Sequence, residues 1–230
     1  MLKDYKRSMR LLYIGIAGAI FTMMGDCLLC GADSSGAAGM IDSFMIIASK
    51  ISYMCIGLAG SFGFIGIPLS AAGYYALYLL LSEADRDSRL GKMYRLSVLG
   101  GYASMGGAVH ILCCYIMTGL KKNIEAGTAD VVSAVIKEQI GYLLPCMIIF
   151  LIVYIVVVVS FILIISKGKT LLPKWMWVLN PLVMKAVFNV FRRLGTSALC
   201  NGIACSNMSL GALVIFLCWI MVIRSRTAFD

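Results

Sequence analysis

Ionisable groups are scarce in this chain. Only 13% of its 230 residues are charged, and it has a single histidine. An ordinary soluble domain carries about 25% charged residues, so the composition excludes that class. One histidine excludes a zinc centre built on three of them. Also missing are a Walker loop, a dinucleotide-binding glycine fingerprint, a G-x-S-x-G elbow and an H-E-x-x-H pair, so nucleotide hydrolysis and zinc proteolysis have no footing. A Ser-His-Asp set drawn from Ser104, His110 and Asp26 has no spacing to support it, because any one histidine can be matched to some serine.

What remains is apolar. Hydrophobic residues make up 61% of the chain and the mean hydropathy is +0.93, so the solvent is lipid. A membrane helix needs about 20 apolar residues, and six such runs are legible, at 11–30, 51–81, 96–119, 140–166, 173–192 and 197–223. The predicted fold is an all-α polytopic bundle of six transmembrane helices forming one membrane domain. The second run is overlong and holds Pro68, which predicts a tilt or kink, or else a short helix with a re-entrant piece. The fifth is interrupted by Lys185.

Positive loops are retained on the cytoplasmic side. With six spans, thirteen lysines and arginines fall on the inner pieces (residues 3–10, 86–95, 167–174 and 224–226) against six outside. Both termini are therefore predicted to be cytoplasmic. Trp175, Trp177 and Trp219 then lie near the inner boundary, where indole rings are favoured. The net charge of +9 is explained by these loops and by anionic lipid, with no nucleic acid partner.

The basic N-terminus followed by an apolar run has the outline of a secretory signal. That run is about 19 residues, longer than a signal core, and Asp26 precedes any cleavage site, so retention is expected. Two outer connections, 38–50 and 123–139, mix apolar and polar residues at helical spacing. They read either as interfacial helices or as extensions of the spans that follow.

Glycines at 57, 60, 63 and 66, and the run GGYASMGGAVH ending at His110, predict close helix packing. Room for a ligand beside a flexible helix is the other reading. In Asn180-Pro181, a continuous helix would leave the Trp177 carbonyl without its partner and kink there.

Asp26 lies inside the first span, and an intramembrane carboxylate is costly and needs partners. Threading the six spans puts Asp26, His110, Lys185, Asn189 and Asn201 in one leaflet. Lys185, Asn189 and Arg192 share a helix face by spacing, which makes Lys185 a candidate counter-charge for Asp26. These five residues are the candidate ligand-binding or proton-handling site. Of nine cysteines, Cys27 and Cys30 have the C-x-x-C spacing of dithiol exchange. The alternative is that they are small hydrophobes. No metal site and no cofactor are predicted.

The segments MMGDCLLC, GGAVH, LLPKWMWVLNP and NGIACSN resemble an uncharacterised family of six-helix bacterial integral membrane proteins of the Firmicutes type. The resemblance implies the architecture and a multi-pass place in the bacterial plasma membrane, and assigns no activity. The expected partners are membrane lipids and a small amphipathic ligand, while the oligomeric state is left open. The leading functional expectation is binding or translocation of such a molecule, with proton coupling, through a polar pocket in the outer half. Its alternatives are an intramembrane enzyme acting on a lipid or quinone, by acid–base or thiol chemistry, and a structural or signalling role.

Overall fold

A computed structural model describes residues 2–227, with side chains described for 4–128 and 138–226. The described residues form helices and no strand. In order these are α1 (Leu2–Cys30), α2 (Met40–Lys50), α3 (Tyr53–Leu79), α4 (Glu83–Asp87), α5 (Arg89–Leu96), α6 (Ala103–Glu125), α7 (Ala129–Ser166), α8 (Pro181–Asn189), α9 (Phe191–Leu194), α10 (Ala198–Cys205) and α11 (Asn207–Thr227). A π-helical turn, Ser97–Tyr102, joins α5 to α6.

Among the described residues, five helical stretches are long and apolar enough to cross a membrane: Asp4–Cys30, Tyr53–Leu79, Arg89–Glu125, Glu138–Ser166 and Asn207–Arg226. At 1.5 Å per residue the 27 residues of α3 extend about 40 Å, more than the ~30 Å hydrocarbon layer. The helix runs through Pro68 without a break. The outer connection at 38–50 is the separate helix α2, packed through Ile47 and Ala48 against Leu29, Met117 and Leu120. The 129–139 stretch continues into α7 as one helix, and the side chains that would give it an interfacial face fall on 129–137, outside the described ones.

The fifth predicted span is where the structure departs from a regular helix. Pro173 is extended, Lys174–Val178 form a 3-10 turn, and Asn180 is extended again before α8 begins at Pro181. A residue before proline avoids the helical region, and proline suits the first turn, where its missing N–H costs nothing. Asn180 completes the restart: its Oδ1 accepts from the Leu182 and Val183 amides at 3.0 and 3.1 Å, and its Nδ2 donates to the Trp177 carbonyl at 3.1 Å. The helix restarts instead of kinking, and the Trp177 carbonyl is satisfied.

Two ends of the bundle can be told apart. At one, Asp4 pairs with Arg86 at 3.0 Å and Asp85 pairs with Lys169, clasping α1, α4 and the segment after α7. The Lys169 Nζ hydrogen bond holds the Asp85 carboxyl below its ordinary range, helped by the Ser82 hydroxyl. At the other end the Ser34 amide donates to the Thr196 carbonyl at 2.9 Å. The chain thus passes from the Asp4 end to the Ser34 end between Lys169 and Thr196, through the 3-10 turn, α8 and α9.

In lipid, helices associate through close packing, and α1 and α3 show it. A Cβ on Gly15 would stand 2.5 Å from Gly73 Cα, and one on Gly66 would stand 2.6 Å from the Thr22 amide nitrogen. An aromatic core lies beside them, with Tyr74 edge-on to Tyr102 and Phe216 at 5.4 and 4.9 Å. Trp219 is fully buried and stacks on Phe161 at 5.5 Å. It belongs to this core and not to a lipid-facing aromatic belt, while Trp175 and Trp177 are exposed.

Candidate functional site

Asp26 occupies the last third of α1, where α6 and α11 converge on it. Its side chain is 14% exposed and that of His110, on α6, is 9% exposed. Gly63 on α3 makes room for the histidine, because a Cβ there would stand 2.0 Å from His110 Cδ2. The His110 Nε2 is 3.0 Å from the Ala59 carbonyl. A carbonyl only accepts, so Nε2 carries a hydrogen and donates it.

That bond decides the other side of the ring. Nδ1 faces Asp26 Oδ1 at 3.7 Å, an ion-pair separation longer than a hydrogen bond. With Nε2 already a donor, a neutral imidazole and an ionised carboxylate would present two acceptors to each other. One proton placed on either partner removes the conflict, giving a carboxylic acid beside an imidazole or a carboxylate beside an imidazolium. On the opposite carboxylate oxygen, Ser209 Oγ donates to Asp26 Oδ2 and to the Ser206 carbonyl, both at 3.0 Å, so a single hydroxyl hydrogen is divided between two acceptors. The arrangement can hold and release one proton.

The other candidates fall differently. Lys185 lies over the Tyr154 ring, 6.0 Å from its centroid. Tyr154 in turn stacks on Tyr102 at 6.4 Å. The expected direct Lys185–Asp26 pairing is not formed: the basic side chain within 4 Å of Asp26 is His110. Asn189 is exposed on the same short helix. Asn201 Nδ2 contacts the Ala32 carbonyl at 2.8 Å, Ser34 Oγ at 2.9 Å and the Thr196 carbonyl at 3.0 Å, stapling α10 to the segment after α1.

Cys27 meets Ser206 Oγ at 3.4 Å. Cys205 packs against the cluster that holds Cys30. A disulfide between Cys30 and Cys205 would join α1 to α10, an alternative to the Cys27–Cys30 pairing read from spacing. Among the described residues no group of three or more His, Cys, Asp or Glu side chains is arranged to hold a metal ion.

Cys30 and Cys205 also line a cavity of about 310 Å³ at the Ser34 end, roofed by α2 and walled by Arg192, Thr196 and Asn201. Asp26 is four residues before Cys30, about 6 Å along the helix, and Ser209 is four after Cys205. The thiols thus stand between the cavity and the proton-holding pair. Sequence reasoning missed Ser209, Cys205 and the role of Gly63. The short polar residues opening the last span were the available signal for the first two.

No curated protein and no solved structure matches the chain. A model of the family of unknown function DUF6796 matches residues 1–226, and the chain belongs to that family.

Proposed function

We propose that this protein crosses the bacterial plasma membrane six times, with both termini cytoplasmic, and binds a small amphipathic molecule in the cavity beneath α2. Occupancy is coupled to the proton shared by Asp26 and His110. The passage of 169–196 between the two ends of the bundle supports a discontinuous fifth crossing. Orientation is supported by the Asp4 end, which gathers Arg86, Lys169 and the basic first turns of α1, as an inward-facing surface does.

The observation that carries the reading is the double position of Cys30 and Cys205, which line the cavity and stand one helical turn from Asp26 and Ser209. A molecule entering the cavity alters the packing over the proton site, and a proton leaving the site alters the cavity floor. The test is saturable binding of tritiated decanol to the protein in zwitterionic-lipid nanodiscs between about pH 5 and pH 8. Binding that varies with pH in wild type and not in D26N supports the reading, whereas absence of saturable binding removes it. Translocation is read separately, as ligand-dependent proton movement into proteoliposomes.

A second reading, thiol redox chemistry, is favoured by the placing of Cys30 and Cys205 together on the cavity lining. Two thiols would form one S–S bond, passing two electrons and two protons to a quinone, which becomes the hydroquinone.

A further inference from the structure

The cavity beneath α2 has a chemical bias. Arg192 is its one charged lining residue, no carboxylate lines it, and among the described residues no carboxylate forms an ion pair with Arg192. The hydroxyl of Thr196 and the amide of Asn201 lie on the same side of the lining, on the loop and helix that follow Arg192. The α2 side is apolar, from Met40, Phe44 and Ile47. Met40 is 65% exposed and Ile47 is 3% exposed, so this wall runs from surface to interior.

A guanidinium without an ion-pair partner, facing an apolar wall across a half-open cavity, favours an occupant with an anionic head and an apolar body. Guanidinium forms charge-assisted, bidentate hydrogen bonds with carboxylates and phosphates. Size limits the body. A cavity of about 310 Å³, open on one side, lies at the small end of ligand pockets, which suits one chain better than two.

We infer that the cavity binds a short single-chain anionic amphiphile, a medium-chain carboxylate in the first instance, and that Arg192 recognises its acid head while Met40, Phe44 and Ile47 receive its chain. This inference rests on the reading above that the cavity is a ligand site, and adds the charge of the ligand to it. The chain enters along the exposed end of α2. The head stays at the rim, where Arg192 keeps part of its hydration, and the tail points toward the Cys30–Cys205 floor.

The test uses the full-length protein in zwitterionic-lipid nanodiscs, with tritiated decanoate as probe at about pH 8, where the carboxylate is ionised. Unlabelled decanoate, decanol and decyltrimethylammonium serve as competitors. Decanoate is expected to bind about tenfold tighter than decanol, R192Q to abolish that difference while leaving decanol binding intact, and R193Q to leave both unchanged. Arg192 and Arg193 are both exposed, so neither variant threatens folding. Equal affinity for decanoate and decanol overturns the anionic assignment and leaves the proposed function standing. An equal loss in R193Q, or equal competition by decyltrimethylammonium, overturns it as a general surface-charge effect. No saturable binding of any of the three removes both claims.

Discussion

His110 Nδ1 stands 3.7 Å from Asp26 Oδ1 while the opposite ring nitrogen donates to the Ala59 carbonyl at 3.0 Å. Because the chain has one histidine, this relationship can be watched without assignment ambiguity. In wild type, nitrogen NMR of the labelled ring is expected to show Nε2 protonated throughout and Nδ1 responding to pH together with the Asp26 carboxyl. In D26N the substituted amide supplies a permanent donor to Nδ1, and that joint response disappears. A ring protonated at Nδ1 with a bare Nε2 would contradict the geometry.

Gly63 and Gly57 lie six residues apart on α3 and separate packing from propensity. A Cβ at Gly63 clashes with the His110 ring at 2.0 Å, and one at Gly57 meets nothing within 4 Å. G63A is expected to cost about 1–3 kcal/mol through displacement of the ring, and G57A to be neutral or stabilising by up to ~1 kcal/mol. Unfolding in mixed micelles measures both, and the account fails if the two variants behave alike.

The Asp85–Lys169 clasp has a defined pH dependence. The Lys169 hydrogen bond lowers the Asp85 carboxyl from its ordinary 3.8. Its contribution is therefore present above that value and is lost as pH falls through the lower, folded-state value. Amide exchange at 82–88 and 167–172 is expected to accelerate in that acid range, and D85N to show the faster exchange already at neutral pH. Unchanged exchange in D85N would show that other contacts hold this end.

Oxidation by a soluble quinone discriminates the thiol readings. If the pair reacts, peptide mapping will find Cys30 linked to Cys205, the linkage will persist in C27S, and C205S will lack it. A Cys27–Cys30 linkage, or thiols that all remain reduced, would speak against chemistry at this pair.

The spans were legible because length and apolarity alone identify a membrane helix, and α1, α3, α6, α7 and α11 follow. Depth was partly legible too: threading the spans placed Asp26 and His110 at similar heights. Their contact was not, because it depends on helix rotation, which Gly63 and the α1–α3 glycine seam fix. Asn180-Pro181 carried the signal for a break, yet a cap and a kink share the same two residues. Only the bonds from Asn180 to Leu182, Val183 and Trp177 distinguish them. Lys185 was misdirected too, since spacing puts residues on one helix face without saying what that face meets. Cys205 escaped because spacing compares neighbours in sequence, and the thiol that shares the cavity lining with Cys30 comes from another helix.

The short α8 bears on how this protein is made. A nine-residue helix covers about 13 Å and cannot by itself present a full hydrocarbon-length segment to the insertion machinery. Its packing partner α11, against which Met184 seats over Gly211, leaves the ribosome later. On the discontinuous fifth crossing proposed above, the segment from Leu172 to Thr196 would complete its packing only once α11 has emerged. Truncation before Asn207 is then expected to leave α8 without the helix it packs against, even though every residue of α8 has been synthesised.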